Sequence, residues 1–345
     1  MRFAVIGAGV IGATHARLIA SLPGRAELAA VVDADRSRAT AVAGEFGGEP
    51  LFDLAAACAR DDVDAVSICL PSGAHADAAI TALRAGKHVI VEKPVDVTLA
   101  AADRLIAAER ESGRTVAVIS QRRFQSAPAF VHEAVTTGRL GRITSGSAES
   151  TFWRTQAYYD SGGWRGTKAM DGGGALMNQG IHALDLLIWM LGEPAEVQAY
   201  SGRLAHDRID VEDTVSASVR FAGGAIGTIF ATTAAYPGLP VRLSVHGDRG
   251  SAVIEREEVS YFHAADAEQP GEDPDHNQAV PVGGPGGTAS IDDAHRDQYA
   301  DFVDAVEQGR PPLISTRDGR LALELVLGVY ESARTGRAVP LGGQG

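Results

Sequence analysis

The chain has 345 residues, enough for two domains at about 150 residues each, and its 45% hydrophobic and 22% charged residues are ordinary for a soluble globular protein with full cores. A net charge of −13 disfavours nucleic acid and anionic membrane as partners, because both reward a basic surface. Two cysteines in apolar contexts, Cys58 and Cys69, argue against a disulfide framework and for a reducing cytoplasm. The first strand pattern begins within two residues of Met1, with no cleavable leader ahead of it, and the apolar stretches are interrupted before they reach a membrane-spanning length.

In chain order, residues 2–7 form an apolar run and 10–20 follow with helical spacing. A second strand covers 28–33, with a helix from about 36. Further strands fall at 65–70, 88–91 and 115–119, separated by helices at 74–85 and 98–112. Strands alternating with helices of 10–15 residues predict a doubly wound parallel α/β sheet, here over residues 1–120. The pattern then changes. Residues 121–139 contain Pro128 and a short helix, and one long helical pattern spans 175–191. Strand-like runs follow at 196–204, 214–221, 225–233, 241–245 and 252–255, with Gly223-Gly224 reading as a hairpin turn. This predicts an α+β second domain over 121–345, with a large open, mostly antiparallel sheet behind one helix. Residues 264–290 are acidic and rich in Gly and Pro, as expected of an exposed loop. Two helices, 291–307 and 317–333, close the chain and are expected to pack back on the first domain.

Gly7-Ala8-Gly9-Val10-Ile11-Gly12 fits the Gly-x-Gly-x-x-Gly fingerprint, after a strand and at the start of a helix. Gly7 permits a tight turn, Gly9 admits a pyrophosphate, Gly12 allows close helix–strand packing, and the helix N-terminus favours negative charge. Asp33 ends the second strand 21 residues after Gly12. A carboxylate there accepts from both ribose hydroxyls and repels a 2′-phosphate, so NAD is expected over NADP. Arg36 and Arg38 lie close by, and Arg38 is a candidate to soften that preference. Leu70, Pro71 and Ser72 end the strand at 65–70 and are expected beside the cofactor. His75 follows in the next helix; it and His15 are candidates for cofactor contact or for buried structural roles.

Only three lysines (Lys87, Lys93, Lys168) stand against 28 arginines. Arginine keeps its proton at working pH, whereas a desolvated lysine can shuttle one. Lys93 lies in Glu92-Lys93-Pro94, directly after the apolar strand at 88–91, and the carboxyl ends of strands are where open α/β sheets bind ligands. A surface lysine at a turn is the bland alternative. The second signal is the stretch from Asp171 through Gly172-Gly173-Gly174 to His182. Asn178 and His182 are spaced i,i+4 and face the same way, and Asp185 is placed to orient the imidazole. A histidine suits proton transfer from an alcohol whose carbon gives up hydride, although a satisfied core histidine gives the same pattern. Ahead of this helix lie Phe152-Trp153-Arg154, Tyr158-Tyr159 and Trp164-Arg165-Gly166. Aromatic faces interleaved with arginines suit sugars and anionic groups, or the ordinary packing of a long loop. Trp153, Arg154, Tyr158, Trp164 and Arg165 are therefore site candidates, with Arg122 and Arg123 behind them. No metal site is expected.

Together the Gly7–Gly12 turn, Glu92-Lys93-Pro94, the glycine-led helix to His182 and the ending from Tyr330 to Arg337 resemble the Gfo/Idh/MocA oxidoreductase family over nearly the whole chain. The resemblance implies an N-terminal Rossmann domain and a C-terminal α+β domain whose open sheet supports a homodimer or homotetramer. It implies catalysis by Lys93 and His182 at a substrate hydroxyl, with Trp164 and Arg165 near nicotinamide and substrate, and a cis peptide before Pro94. Many relatives carry Asp where this chain has Asn178. An amide takes up no catalytic proton but can hold a hydroxyl, so the proton path narrows to Lys93 and His182. The expected activity is NAD-dependent oxidation of a secondary alcohol of a sugar, sugar derivative or cyclitol. Glycoside hydrolysis by transient oxidation and a non-catalytic NAD or sugar sensor are the alternatives.

Overall fold

The computed structural model describes residues 1–265 and 290–342. Nearly all of the acidic segment expected as a loop lies outside the described residues. The chain divides into two compact units. The first comprises Met1–Gln121, Lys168–Gly172 and Ile291–Leu323; the second comprises Arg122–Thr167, Gly173–Ser290 and Glu324–Gly345.

In the first unit β1 (Arg2–Ile6), β2 (Glu27–Val32), β3 (Glu49–Leu51), β4 (Ala65–Ile68), β5 (His88–Val91) and β6 (Val116–Val118) form one parallel sheet in the order β3-β2-β1-β4-β5-β6. Its helices are α1 (Val10–Ala20), α2 (Arg36–Phe46), α3 (Leu54–Cys58), α4 (His75–Arg84), α5 (Leu99–Ser112) and α9 (Ile291–Gln308). All four residues of β4 are buried, as expected for a strand covered on both faces. Tyr299 and Phe302 of α9 pack on Phe3 of β1, and these three rings are fully buried. Each such side chain contributes roughly 1.5–3 kcal/mol by leaving water. β3 and α3 have no counterpart in the sequence reading. β3 is only three residues long and contains Pro50, too short to show a period.

The second unit holds α6 (Ser126–Thr136), β7 (Ile143–Thr151), α7 (Gln156–Asp160), α8 (Ile181–Leu191), β8 (Pro194–Gly202), β9 (Thr214–Phe221), β10 (Ile226–Thr232), β11 (Arg242–Gly247), β12 (Gly250–Glu255), β13 (Glu258–Ala264) and β14 (Val339–Pro340). The helix α10 (Thr316–Thr335) begins in the first unit's residues and ends in the second's. The eight strands run β13-β12-β11-β7-β10-β9-β8-β14, and every pairing is antiparallel except β7 with β10. The sheet is therefore not a simple run of hairpins: β7 is inserted at its centre. That strand, ITSGSAEST, was missed because its buried positions are small or polar rather than apolar. A Cβ on Gly146 would come within 3.2 Å of Leu187 and 3.0 Å of Leu191, so α8 demands small residues there. β9 alternates buried and exposed along its length, as a sheet with one covered face requires.

Candidate active site

The glycine turn is built as its residue types require. Gly7 has φ +98°, and a Cβ there would lie 2.6 Å from the Cys69 carbonyl oxygen. A Cβ on Gly12 would lie 1.7 Å from the Gly7 carbonyl oxygen, whereas one on Gly9 would meet nothing within 4 Å. The first and third glycine positions are thus fixed by packing, and the backbone at Gly9 is left open to a ligand. Val10, the first residue of α1, is 86% exposed. Asp33 accepts from the Ala8 N–H through Oδ2 and from the Asp35 N–H through Oδ1, each at 2.8 Å. A carboxylate has about four acceptor sites, so capacity remains for ribose hydroxyls. These residues fit a dinucleotide. Arg38 is exposed and pairs with Asp35, as a solvated helix charge does.

Leu70, Pro71 and Ser72 follow β4 on the same edge of the sheet. His75 is spent on the backbone: Nδ1 lies 2.7 Å from the Pro94 carbonyl oxygen and Nε2 2.8 Å from that of Leu70. It is 1% exposed. Of the two roles open to it, the buried structural one fits, because neither ring nitrogen is left for a cofactor. Lys93 follows β5, half-buried, and the Lys93–Pro94 peptide is cis. Of the other lysines, Lys87 donates to the Arg60 and Val63 carbonyls and Lys168 is exposed.

Beneath Lys93 lies a buried polar cluster. Glu92 Oε2 accepts the Lys93 N–H at 3.0 Å, and Glu92 Oε1 lies 3.0 Å from His15 Nε2. His15 Nδ1 meets the Tyr299 and Ser67 hydroxyls at 2.7 and 3.1 Å. Burial works against ionising Glu92, but the bond and charge of His15 prevail and bring its pKa down to about 2. Burial also opposes the charge on His15, yet Cys69, Tyr299 and Glu92 raise its pKa well above 6.5. Both directions, with the 3.0 Å contact, favour an ion pair over a neutral one. His15, Glu92 and His295 offer ligand atoms within 4.8 Å of one another, close enough to share a cation. The hydrogen bonds already present engage both nitrogens of His15.

In the second unit, residues 176–180 form a π-helical turn that leads into α8, where the sequence predicted one uninterrupted α-helix. Such turns occur often at functional sites. Asn178 lies in this turn and His182 in the first turn of α8; both are half-buried. Glu212 pins the start of this helix. Its carboxylate accepts the N–H groups of Gly174 and Leu176, each at 2.9 Å, and the Tyr330 hydroxyl at 3.0 Å. Burial nevertheless holds the Glu212 pKa above the usual range. A Cβ on Gly173 would fall 2.2 Å from the Tyr330 hydroxyl, and one on Gly174 1.7 Å from the Glu212 carbonyl. Those two glycines thus admit a clamp supplied by β9's leading segment and α10. Gly180 makes room for Ala231 and Leu176, which a Cβ there would meet at 2.9 and 3.0 Å.

Asp185 accepts from Arg123 through both oxygens, from Nε at 2.9 Å and from Nη2 at 2.6 Å. Arg123 is itself 4% exposed and spends two of its donors on Asp185. Arg122 is buried enough to lower its pKa, with a buried Nε that has no hydrogen-bond partner. Trp153 packs edge-on against Tyr236. Arg154, Tyr158, Trp164 and Arg165 do cluster: both guanidinium carbons stand over the Tyr158 ring, at 5.0 and 4.7 Å, and Arg165 also stacks on Trp164 at 4.6 Å. Glu212, Gln179 and two partners of His15, Ser67 and Tyr299, were not singled out from sequence as site residues, and Tyr330 entered only through the chain-ending motif. Glu212 carried a signal of its own, an acidic pair directly ahead of a strand pattern.

Residues 1–120 match the model described as "Oxidoreductase family, NAD-binding Rossmann fold", and residues 129–253 match that of the GFO/IDH/MocA C-terminal domain. The chain belongs to the Gfo/Idh/MocA family. It is an oxidoreductase whose first unit is an NAD-binding Rossmann domain. Among family members, inositol 2-dehydrogenase of Rhizobium meliloti (strain 1021) is 28% identical over 99% of both chains. The WlbA dehydrogenase from Bordetella pertussis, solved with NADH and UDP-GlcNAcA, is 30% identical with a TM-score of 0.87 and covers 100% of this chain and 99% of its own. Levoglucosan dehydrogenase, solved with NADH and levoglucosan, is 25% identical over 99% of each chain with a TM-score of 0.88. No helix among the described residues is long and apolar enough to cross a membrane.

Proposed function

We propose that this Gfo/Idh/MocA protein is an NAD-dependent dehydrogenase acting on a secondary alcohol of a sugar, sugar derivative or cyclitol. The observation that carries the proposal is one sheet edge. The Gly7 turn follows β1 and Lys93 follows β5, with only β4 between those strands, so they stand two strand spacings, about 10 Å, apart. Two relatives, an inositol 2-dehydrogenase and a levoglucosan dehydrogenase, are named for polyhydroxylated substrates.

Bound NAD supplies the acceptor for the hydride that leaves the carbinol carbon. Gly7, Gly9 and the N-terminus of α1, with Val10 and Ile11, hold its pyrophosphate, and Asp33 holds the ribose hydroxyls. Lys93 holds the reacting oxygen through its ammonium group, lowers the alcohol's pKa and relays the proton. His182 takes the hydroxyl proton at its imidazole. Asn178 holds a neighbouring hydroxyl as donor or acceptor but takes no proton. The uncovered sheet face carries Tyr200, Ile226 and Phe230, 76%, 60% and 37% exposed. This supports a homodimer or homotetramer, and light scattering on eluted protein reads the mass directly; a monomer refutes it.

A panel of monosaccharides, anhydrosugars, inositols and sugar acids, each offered with NAD and NADP, tests the activity. The expected result is NADH formation with one substrate group and weaker turnover with NADP. NAD binding without reduction across the panel refutes the dehydrogenase and leaves a sensor. Free sugar released without net NADH identifies a hydrolase.

A further inference from the structure

We infer that the group around Tyr158 is a subsite for an oxyanion carried by the substrate, a carboxylate or a phosphoryl group; this rests on the dehydrogenase proposed above and names its substrate class. The Tyr158 oxygen accepts two hydrogen bonds, from Arg165 Nη1 at 2.9 Å and from Gln179 Nε2 at 3.3 Å. With both lone pairs taken, its own proton must go to a third group. Beside it the Arg154 Nε is buried without a hydrogen-bond partner. The Arg154 donor, on a permanent cation, therefore lacks an acceptor, and a buried donor left in that state is costly. One oxyanion satisfies it and can also take the Tyr158 proton.

Charge points the same way. The protein carries 44 acidic against 31 basic residues, yet neither Arg154 nor Arg165 has an acidic partner among the described residues. The neighbouring acids are committed elsewhere. Asp160 pairs with Arg208. Glu212 holds the start of the catalytic helix. Asp213 accepts the N–H groups of Leu204, Ala205 and His206. Arg154 is also fixed in place: its N–H donates to Thr233, and its carbonyl lies 2.8 Å from His206 Nε2. A guanidinium held in this way recognises carboxylate or phosphate through parallel hydrogen bonds. Gln179 links the subsite to chemistry, because it follows Asn178 in the π-helical turn. Its Oε1 is buried without a donor, as needed to receive a sugar hydroxyl next to the anion.

The test uses the full chain loaded with NAD. Calorimetry measures binding of D-glucose, D-glucuronate and D-glucose 6-phosphate, and NADH formation is followed with the same three sugars and with UDP-linked glucose and glucuronate. The expected result is that one anionic class binds at least tenfold tighter than its neutral counterpart. Arg154→Leu should remove that preference by about ten- to hundredfold, and Arg154→Lys should restore part of it, with the NAD Kd unchanged in both. A preference for glucuronates assigns a carboxylate site; one for glucose 6-phosphate assigns a phosphoryl site. Equal binding of neutral and anionic sugars overturns the subsite, as does an Arg154→Leu effect confined to NAD affinity. If anions bind through Arg154 but no sugar is oxidised, the subsite stands and the dehydrogenase falls. If neutral sugars are oxidised without anion preference, the reverse holds.

Discussion

Replacing Glu92 by Gln removes one charge of the buried pair and leaves its volume in place. Glu92 is 6% exposed and His15 fully buried, so water does not take over the lost interaction. Removing one partner of a buried ion pair costs roughly 3–5 kcal/mol. The amide oxygen can still accept one of the two bonds now made to His15 and to the Lys93 N–H, which places the cost at the low end, about 3 kcal/mol. The pKa agrees: a carboxyl brought from 4.5 to about 2 corresponds to ~3 kcal/mol at about 1.4 kcal/mol per unit. For a unit of this size that lowers Tm by roughly 6–12 °C. The sign of the pH dependence follows from the two shifts. The depressed Glu92 contributes above 4.5 and loses its contribution as pH falls toward 2; the raised His15 contributes fully below 6.5 and loses its contribution as pH rises through its folded pKa. The pair is strongest between those limits. Calorimetry at pH 6, with Glu92→Gln, His15→Asn and the double variant, measures it. The double variant should lose less than the sum of the two single losses. A Glu92→Gln protein that melts within about 2 °C of the parent, or strictly additive losses, refutes the buried pair.

Glu212→Gln tests the clamp on the helix that carries Asn178 and His182. The two carboxylate oxygens each take a separate N–H, so an amide leaves one of those donors facing its NH2 group. We expect kcat to fall about ten- to a hundredfold, as Asn178 and His182 lose their fixed start, with the NAD Kd unchanged. Restored activity in Glu212→Asp would show that any carboxylate suffices, whereas unchanged kcat in Glu212→Gln removes the positioning role.

Much of the fold was legible because its signals are local. The strands of the first unit are apolar throughout, and the glycine spacing is set by clashes that any side chain at Gly7 or Gly12 would produce. β7 stayed hidden because its composition answers to the leucines of α8, far along the chain. The site divides in the same way. Lys93, Asn178 and His182 stand out by residue type and spacing. Their supports, Glu92 with His15 and Glu212 with Tyr330, are pairs separated by 77 and 118 residues, and no local period records such contacts.

The central claim is that Lys93 works at the substrate's hydroxyl, and its most direct test is NADH formation by Lys93→Ala with the substrate the panel finds. Turnover should fall by at least about a thousandfold, as expected when an acid–base and electrostatic role is lost, with NAD still bound and Tm within a few degrees of the parent. Turnover within tenfold of the parent would contradict it.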